Sequence, residues 1–350
     1  DEYKNRLKQL LGQETKFTRT LHATAALHPQ RVVFAEGGHQ TMMKAAVTAL
    51  QEGICHPILL GNPDRLNRLA KRLKLDLTGV EIVDMRADKE QGRRATYAKH
   101  LAEKRARQGV TFEEAYDKMY ERNYFGMSMV EQGDADAFIT GLYTKYSNTI
   151  KVAKEVIGVR KDYNTFATMH ILNSKRGAIY VADTLINRHP NQDVLYDVAR
   201  LSEHTVKFFN QDPVIAMVSY SNFGTDEVGS PVAVHQAVEK LQHDFPDMVV
   251  DGEMQVNFAL NRELRDDKYP FTRLKGKDVN TIVFANMNAA NSSYKLIQAL
   301  DPDCEIVGPV QMGLNKPIHF TDFEASVSDV VNVTAVAVID AYVDKVKKNK

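Results

Sequence analysis

Cysteine is nearly missing from this 350-residue sequence, which holds only Cys55 and Cys304. Two cysteines this far apart, with no C-x-x-C spacing, build neither a disulfide framework nor a structural zinc site, and such usage fits a reducing cytosol. Net charge is missing as well, because 45 Lys plus Arg balance 45 Asp plus Glu. Nothing therefore steers the whole molecule toward nucleic acid or an anionic membrane, and any anion site must be local. No apolar run approaches the ~18 residues of a membrane span, and the first residues lack the charged-then-apolar pattern of a signal peptide. The expectation is a soluble cytoplasmic protein with no nucleic-acid or membrane partner. Nucleotide and hydrolase fingerprints are lacking too. No G-x-G-x-x-G follows the first strand signal, and no G-x-x-x-x-G-K-[ST], H-E-x-x-H or G-x-S-x-G occurs, while the 11 histidines are scattered singly.

What the sequence does contain is 43% apolar and 26% charged residues over a length that accommodates two ordinary cores. Short β-branched runs alternate with stretches of helical period. Strands are predicted at 31–36, 56–61, 80–85, 135–141, 178–182, 214–220 and 281–286, and continuous apolar runs of this kind belong to parallel strands covered on both faces. Helices are predicted at 41–53, 63–74, 89–108, 111–132, 149–158, 192–209, 231–245, 291–300 and 326–348. The break around Ser174 to Gly177 predicts some antiparallel pairing in a middle domain. The fold class is α/β with parallel-rich sheets flanked by helices, and a domain boundary falls near residue 158. Tyr3, Leu7, Leu10 and Leu11 recur at helical spacing in a chain that opens at Asp1, which reads as a connector from a preceding module.

Several ordered blocks carry a family resemblance: RVVFAEG (31–37), NYFGMSMVEQGDADAFITG (123–141), DGEMQVNFALN (251–261), ANSSYKLIQAL (290–300), GPVQMGLNKP (308–317) and SVSDVVNVTAVAVI (326–339). The chain resembles phosphate acetyltransferases from about residue 29 to 343. GLYTKYSNTIKVAKEVIG (141–158) and SYSNFGT (219–225) resemble the phosphotransacetylase-like C-terminal domain of large bacterial NADP-dependent malic enzymes, close to the enterobacterial form. The resemblance implies the two-domain phosphotransacetylase-like fold, related to isocitrate and isopropylmalate dehydrogenases, with a cleft between domains for acetyl-CoA. It implies a connector over 1–28 from an upstream malic enzyme module, domain I over 29–157 plus 311–350, and domain II over 158–310. It further implies a homo-oligomer built on a dimer of this domain, with NADP and Mg or Mn used by the parent's other module and no cofactor in this one.

Catalytic members of the family carry Ser-Arg-Gly where this chain has Asp322, Phe323 and Glu324. An Arg fork gives a phosphoryl group charge-assisted bonds of about 1.5–3 kcal/mol each, and Phe gives none. At ~5 Å and an effective dielectric of ~20, each added carboxylate repels a phosphate charge by ~3 kcal/mol before screening. Catalysis is accordingly not expected here. Asp329 matches the family's acid-base position, yet Ser326-x-x-Asp329 also reads as a helix capping box, and both readings stand. The candidate acetyl-CoA anchors are Arg105, Lys151, Tyr294, Lys295, Lys316 and Ser326. Arg105 equally suits a solvated helix face within KRAR, and Lys295 and Lys316 equally suit surface charges. Lys151 keeps the charge of a family Arg without its fork. Phe223 stands for a family Lys, Asn286 for an Asp and Ala290 for a Gly. The expected role is a regulatory domain that binds acetyl-CoA and lowers malate decarboxylation in an attached malic enzyme. A working phosphate acetyltransferase and a purely structural oligomerisation module are the alternatives.

Overall fold

The computed structural model describes residues 15–143, 145–174, 177–301 and 303–348. Tyr3, Leu7, Leu10 and Leu11 lie outside them. The chain divides into two compact units, with crossings at 15/16, 159/160 and 313/314. Helix α1 (Lys16–Leu27) leads into β1 (Gln30–Phe34), α2 (Gln40–Gln51), β2 (Cys55–Leu60), α3 (Pro63–Leu73), β3 (Glu81–Val83), α4 (Gln91–Lys104), α5 (Phe112–Lys118), α6 (Arg122–Gln132), β4 (Ala137–Thr140) and α7 (Tyr146–Val156). The other unit follows with β5 (Ala167–Ser174), β6 (Gly177–Ala182), α8 (Gln192–Phe208), β7 (Ile215–Val218), α9 (Ser230–Asp244), β8 (Val250–Met254), α10 (Val256–Leu260), α11 (Arg262–Lys268), β9 (Thr281–Phe284), α12 (Met287–Leu300) and β10 (Glu305–Met312). The chain then returns to the first unit with β11 (Ile318–Phe320) and α13 (Val327–Lys348).

The sheet of the first unit has the order β11-β4-β1-β2-β3 and is parallel throughout. Its central strands are buried on both faces: every residue of β4 is buried, and β1 exposes only Arg31. This is the packing that their unbroken apolar runs require. Helix α13 packs against both α1 and α2 and lies along β1 and β4. Helix α1 is a component of this unit, with Leu21 and Ala25 buried. The chain runs outward from β1 to β3, then restarts at β4 on the other side of β1. The order therefore reverses between β1 and β4, and it is in the crevice outside the carboxyl ends of such strands that ligands of open α/β sheets bind.

In the second unit the order is β10-β5-β6-β9-β7-β8. β5 pairs antiparallel with both β6 and β10, as the break at 174–177 predicts, and the remaining pairs are parallel. Strands β5, β10 and β11 and helices α10 and α11 have no counterpart among the sequence predictions. The helix predicted over 111–132 is two helices, since the chain makes tight turns through Met119, Tyr120 and Glu121 before α6 begins at Arg122.

A basic concavity at the carboxyl edge of the parallel sheet

Each strand of the first unit hands its chain to the same edge. The loop after β1 carries Glu36, Gly37, Gly38 and His39, that after β2 carries Asn62, and that after β3 carries Asp84 and Arg86. After β4 come Tyr143 and Lys145, and after β11 come Asp322, Phe323 and Glu324. Helices α2, α3 and α7 begin from these loops, and backbone N–H groups at helix starts favour anions.

Glu36 organises the reversal point. It is 1% exposed, and its Oε2 accepts from the amides of Gly141 at 3.0 Å and Leu142 at 2.7 Å while Oε1 accepts from Tyr143 at 2.8 Å. Three backbone donors satisfy a buried carboxylate in this way and spread its charge over the loop it holds. On the far side of that loop Thr321 donates its amide to Thr140 O at 2.7 Å. Gly141, at φ +137°, leaves no room for a side chain, because an added Cβ would lie 2.2 Å from Thr321 O. Gly37 is similarly confined, with Leu60 O 2.8 Å from where its Cβ would be.

Between these loops lies a concavity of about 500 Å³ walled by Glu36, Gly37, Asn62, Arg65, Arg86 and Tyr143, with Arg122 among its lining residues. Two shallower basins adjoin it and share Arg122. One extends past Tyr120 and Asn148, the other past Lys145 to Lys151. The Tyr143 ring stands 5.5 Å from the Arg122 guanidinium and meets His39 edge-on at 4.7 Å. Asp84 is occupied within the rim, accepting from Asn62 Nδ2 at 3.2 Å and from the Arg86 amide at 3.1 Å. Among the described residues, Arg65, Arg86, Arg122 and Lys145 form no ion pair with a carboxylate. Their charge is available to an anionic ligand.

The sequence-predicted residues fall in several places. Lys151 joins the basic rim, its Nζ only loosely paired with Glu155 at 3.9 Å. Burial pushes the Glu155 carboxyl up, but bonds from Tyr124 and Lys118 outweigh this and hold it below its ordinary value. Arg105 is bound to the carbonyls of Glu155, at 2.8 Å, and of Lys154, closing the carboxyl end of α7. That is a structural role, since cations at helix ends satisfy orphan carbonyls. Tyr294 is 1% exposed and stacked on His170 at 4.1 Å in the core of the second unit, apart from the basic rim. Lys295 lies with its Nζ 5.3 Å from the Tyr294 ring centroid. Lys316 is half-buried in the turn before β11.

Ser326 and Asp329 make both bonds of a capping box at the start of α13. Asp329 N donates to Ser326 Oγ at 3.2 Å, and Ser326 N donates to Asp329 Oδ2 at 2.8 Å. Asp322, Phe323 and Glu324 form the turn immediately beyond β11, with Phe323 75% exposed. In the second unit Asn286 caps α12 by accepting from Ala289 N at 3.0 Å, as an Asp would. Phe223, at φ +46°, packs on Tyr269 and Phe271.

Arg65, Arg86, Arg122, Tyr143 and Lys145 were missed by sequence reasoning. The signal for Arg86, Tyr143 and Lys145 was their place just beyond predicted strands. Arg122 was hidden inside a helix read as continuous. Among the described residues no group of three His, Cys, Asp or Glu gathers to hold a metal ion, and no helix is long and apolar enough to cross a membrane.

With this geometry in place, known proteins give it a context. The chain is 33% identical over 345 residues to an NADP-dependent malic enzyme of Salmonella typhimurium, covering 97% of this chain and 45% of that protein. It thus spans less than half the length of that relative. A phosphate acetyltransferase of Thermoanaerobacterium thermosaccharolyticum is 30% identical, with 91% of this chain and 97% of that protein covered. The crystal structure of a phosphotransacetylase from Streptococcus pyogenes superposes with a TM-score of 0.84 at 26% identity, over 93% of this chain and 98% of that one. The α/β architecture, with parallel-rich sheets flanked by helices, matches that structure. The signature of the phosphate acetyl/butaryl transferases extends over residues 16–338, and the chain belongs to that family.

Proposed function

We propose that this chain is a regulatory acetyl-CoA-binding domain that has lost phosphoryl chemistry, and that it acts on an NADP-dependent malic enzyme module of the same polypeptide. The observation that carries the reading is the turn 322–324. It leaves β11 at the edge where the basic concavity lies, yet presents two carboxylates and an exposed Phe where catalytic relatives are expected to have Ser-Arg-Gly. A coenzyme A derivative carries its phosphates on a long flexible body, so Arg86, Arg122, Lys145 and Lys151 can hold them without a cation at 323. Acetyl phosphate has nothing else to offer, and two anions oppose it there. The capping bonds of Asp329 further support an architectural role for that residue.

In this reading acetyl-CoA binds unequally to two states of the assembly and thereby lowers oxidative decarboxylation of malate to pyruvate, a feedback from the product's own fate. NADP and Mg or Mn belong to the partner module, the working form is a homo-oligomer, and the location is cytoplasmic. Thermal unfolding tests it. A ligand at a hundred times its Kd stabilises by ~2.7 kcal/mol, so millimolar acetyl-CoA raises the Tm of the chain, and an unchanged Tm refutes the proposal.

Coverage of nearly the full length of a phosphate acetyltransferase favours a second reading, in which the chain itself converts acetyl-CoA and phosphate into acetyl phosphate and coenzyme A. Arsenate-dependent breakdown of acetyl-CoA by the purified chain decides between them: turnover establishes the enzyme, and its absence alongside binding establishes the sensor.

A further inference from the structure

We propose that Arg94 is a positioning residue for the concavity, setting Arg86 and Arg122 in one arrangement by anchoring both of their loops at once. Arg94 lies on α4 and is 3% exposed. Its Nη1 donates to Met85 O at 2.7 Å and to Ala87 O at 2.9 Å, the two carbonyls on either side of Arg86. Its guanidinium carbon sits 4.8 Å from the centroid of Tyr120, two residues before Arg122, and Nε reaches Tyr116 Oη at 3.5 Å. The two segments joined in this way, Met85–Arg86 and Tyr120–Arg122, face each other across one basin.

The chemistry of the contacts argues for more than packing. Among the described residues no carboxylate pairs with Arg94; its partners are carbonyls, the Tyr116 hydroxyl and aromatic faces, which hold a guanidinium without cancelling its charge. A buried cation left uncompensated is costly unless it is fully hydrogen-bonded, and an apolar residue would fill the same space without that cost. What the guanidinium adds is an Nη1 that donates to two carbonyls while Nε reaches a tyrosine hydroxyl and the plane lies against a ring, together with a positive field behind Arg86 and Arg122. Lysine supplies the charge but not the extended planar group that reaches the carbonyls and the tyrosines together. The tyrosines it engages also explain why the chain turns between α5 and α6. Met119, Tyr120 and Glu121 contain neither Gly nor Pro, and Tyr120 leaves the helical path where its ring meets Arg94.

The inference rests on the concavity being the acetyl-CoA site, and the experiment separates the two claims. Acetyl-CoA is titrated into the full chain as wild type, Arg94→Met, Arg94→Lys, Arg86→Ala and the Arg94→Met, Arg86→Ala double variant. Hydrogen exchange is followed in each at 84–88 and 119–122. Arg94→Met is expected to weaken binding on the order of tenfold, as for loss of hydrogen bonds to a charged group, with Arg94→Lys intermediate. Because Arg94 acts partly through Arg86, its penalty shrinks at least severalfold in the Arg86→Ala background, although the loss of Tm persists. A penalty that adds in full there overturns the inference, as does unchanged affinity. If wild type binds no acetyl-CoA, the functional reading fails and exchange decides this one. Faster exchange confined to 84–88 and 119–122 upholds it, and exchange that is unchanged or raised evenly across the sheet refutes it. Should Arg94→Met not fold, Arg94→Lys carries the same comparisons.

Discussion

Phe323 is the residue on which the functional reading turns, and its exposure makes the turn it occupies open to redesign. Replacing Asp322, Phe323 and Glu324 by Ser, Arg and Gly removes two anions and adds one fork. Acetyl phosphate affinity is expected to rise on the order of tenfold or more, the worth of one charge-assisted bond, in direct titration. Asp136 makes a second prediction. Burial pushes its carboxyl up, but hydrogen bonds from Arg31 and Lys345 outweigh burial and hold it at about 2. A depressed carboxylate stabilises the fold above its unfolded-state value and loses that contribution as pH falls. Asp136→Asn should therefore cost about 1–2 kcal/mol at neutral pH, discounted for the exposure of Arg31 and Lys345, and flatten the stability profile between roughly pH 4 and 2. Urea melts at several pH values read this out. At this scale the sequence was legible where a residue's neighbours in the chain decide its role. Ser326 and Asp329 cap α13 as their spacing says, whereas Tyr294 and Arg105 are claimed by partners far away in sequence, His170 and the end of α7.

Elements were readable in proportion to how strongly their pattern is local. The apolar runs of β1, β2 and β4 and the capped helix α3 follow from periodicity, Asn62 and Pro63. β5, β10 and β11 are strands whose status comes from pairing, and the α5–α6 break falls where Tyr120 meets Arg94. That break matters, for it moves Arg122 from mid-helix to a helix start beside the concavity. The β4–α7 loop is the most constrained connection, gripped by Glu36 on one side and Thr321 on the other. Gly141→Ala combines a forbidden Cβ contact with a left-handed φ and should destabilise by about 1–3 kcal/mol or more, weakening acetyl-CoA binding as Tyr143 and Lys145 shift. Ser326→Ala removes only the cap of α13. It is expected to cost about 1 kcal/mol in thermal unfolding with acetyl-CoA affinity unchanged, and a large loss of affinity would return Ser326 to the ligand site.

At the level of the molecule, the absence of net charge conceals a separation along one edge of one sheet. Arginines and lysines gather beyond β2, β3 and β4, where Glu36 and Asp84 are taken up by hydrogen bonds within the rim, and the carboxylates of Asp322 and Glu324 stand beyond β11. In the proposed reading, this cationic basin recognises a coenzyme A thioester and the carboxylates beyond β11 refuse its acyl phosphate counterpart. The most direct measurement is calorimetric titration of acetyl-CoA into the purified chain, with coenzyme A and acetyl phosphate titrated alongside. Saturable heat with acetyl-CoA and none with acetyl phosphate is the predicted result; acetyl phosphate binding as tightly as acetyl-CoA, or no heat from either thioester or free coenzyme A, contradicts the account.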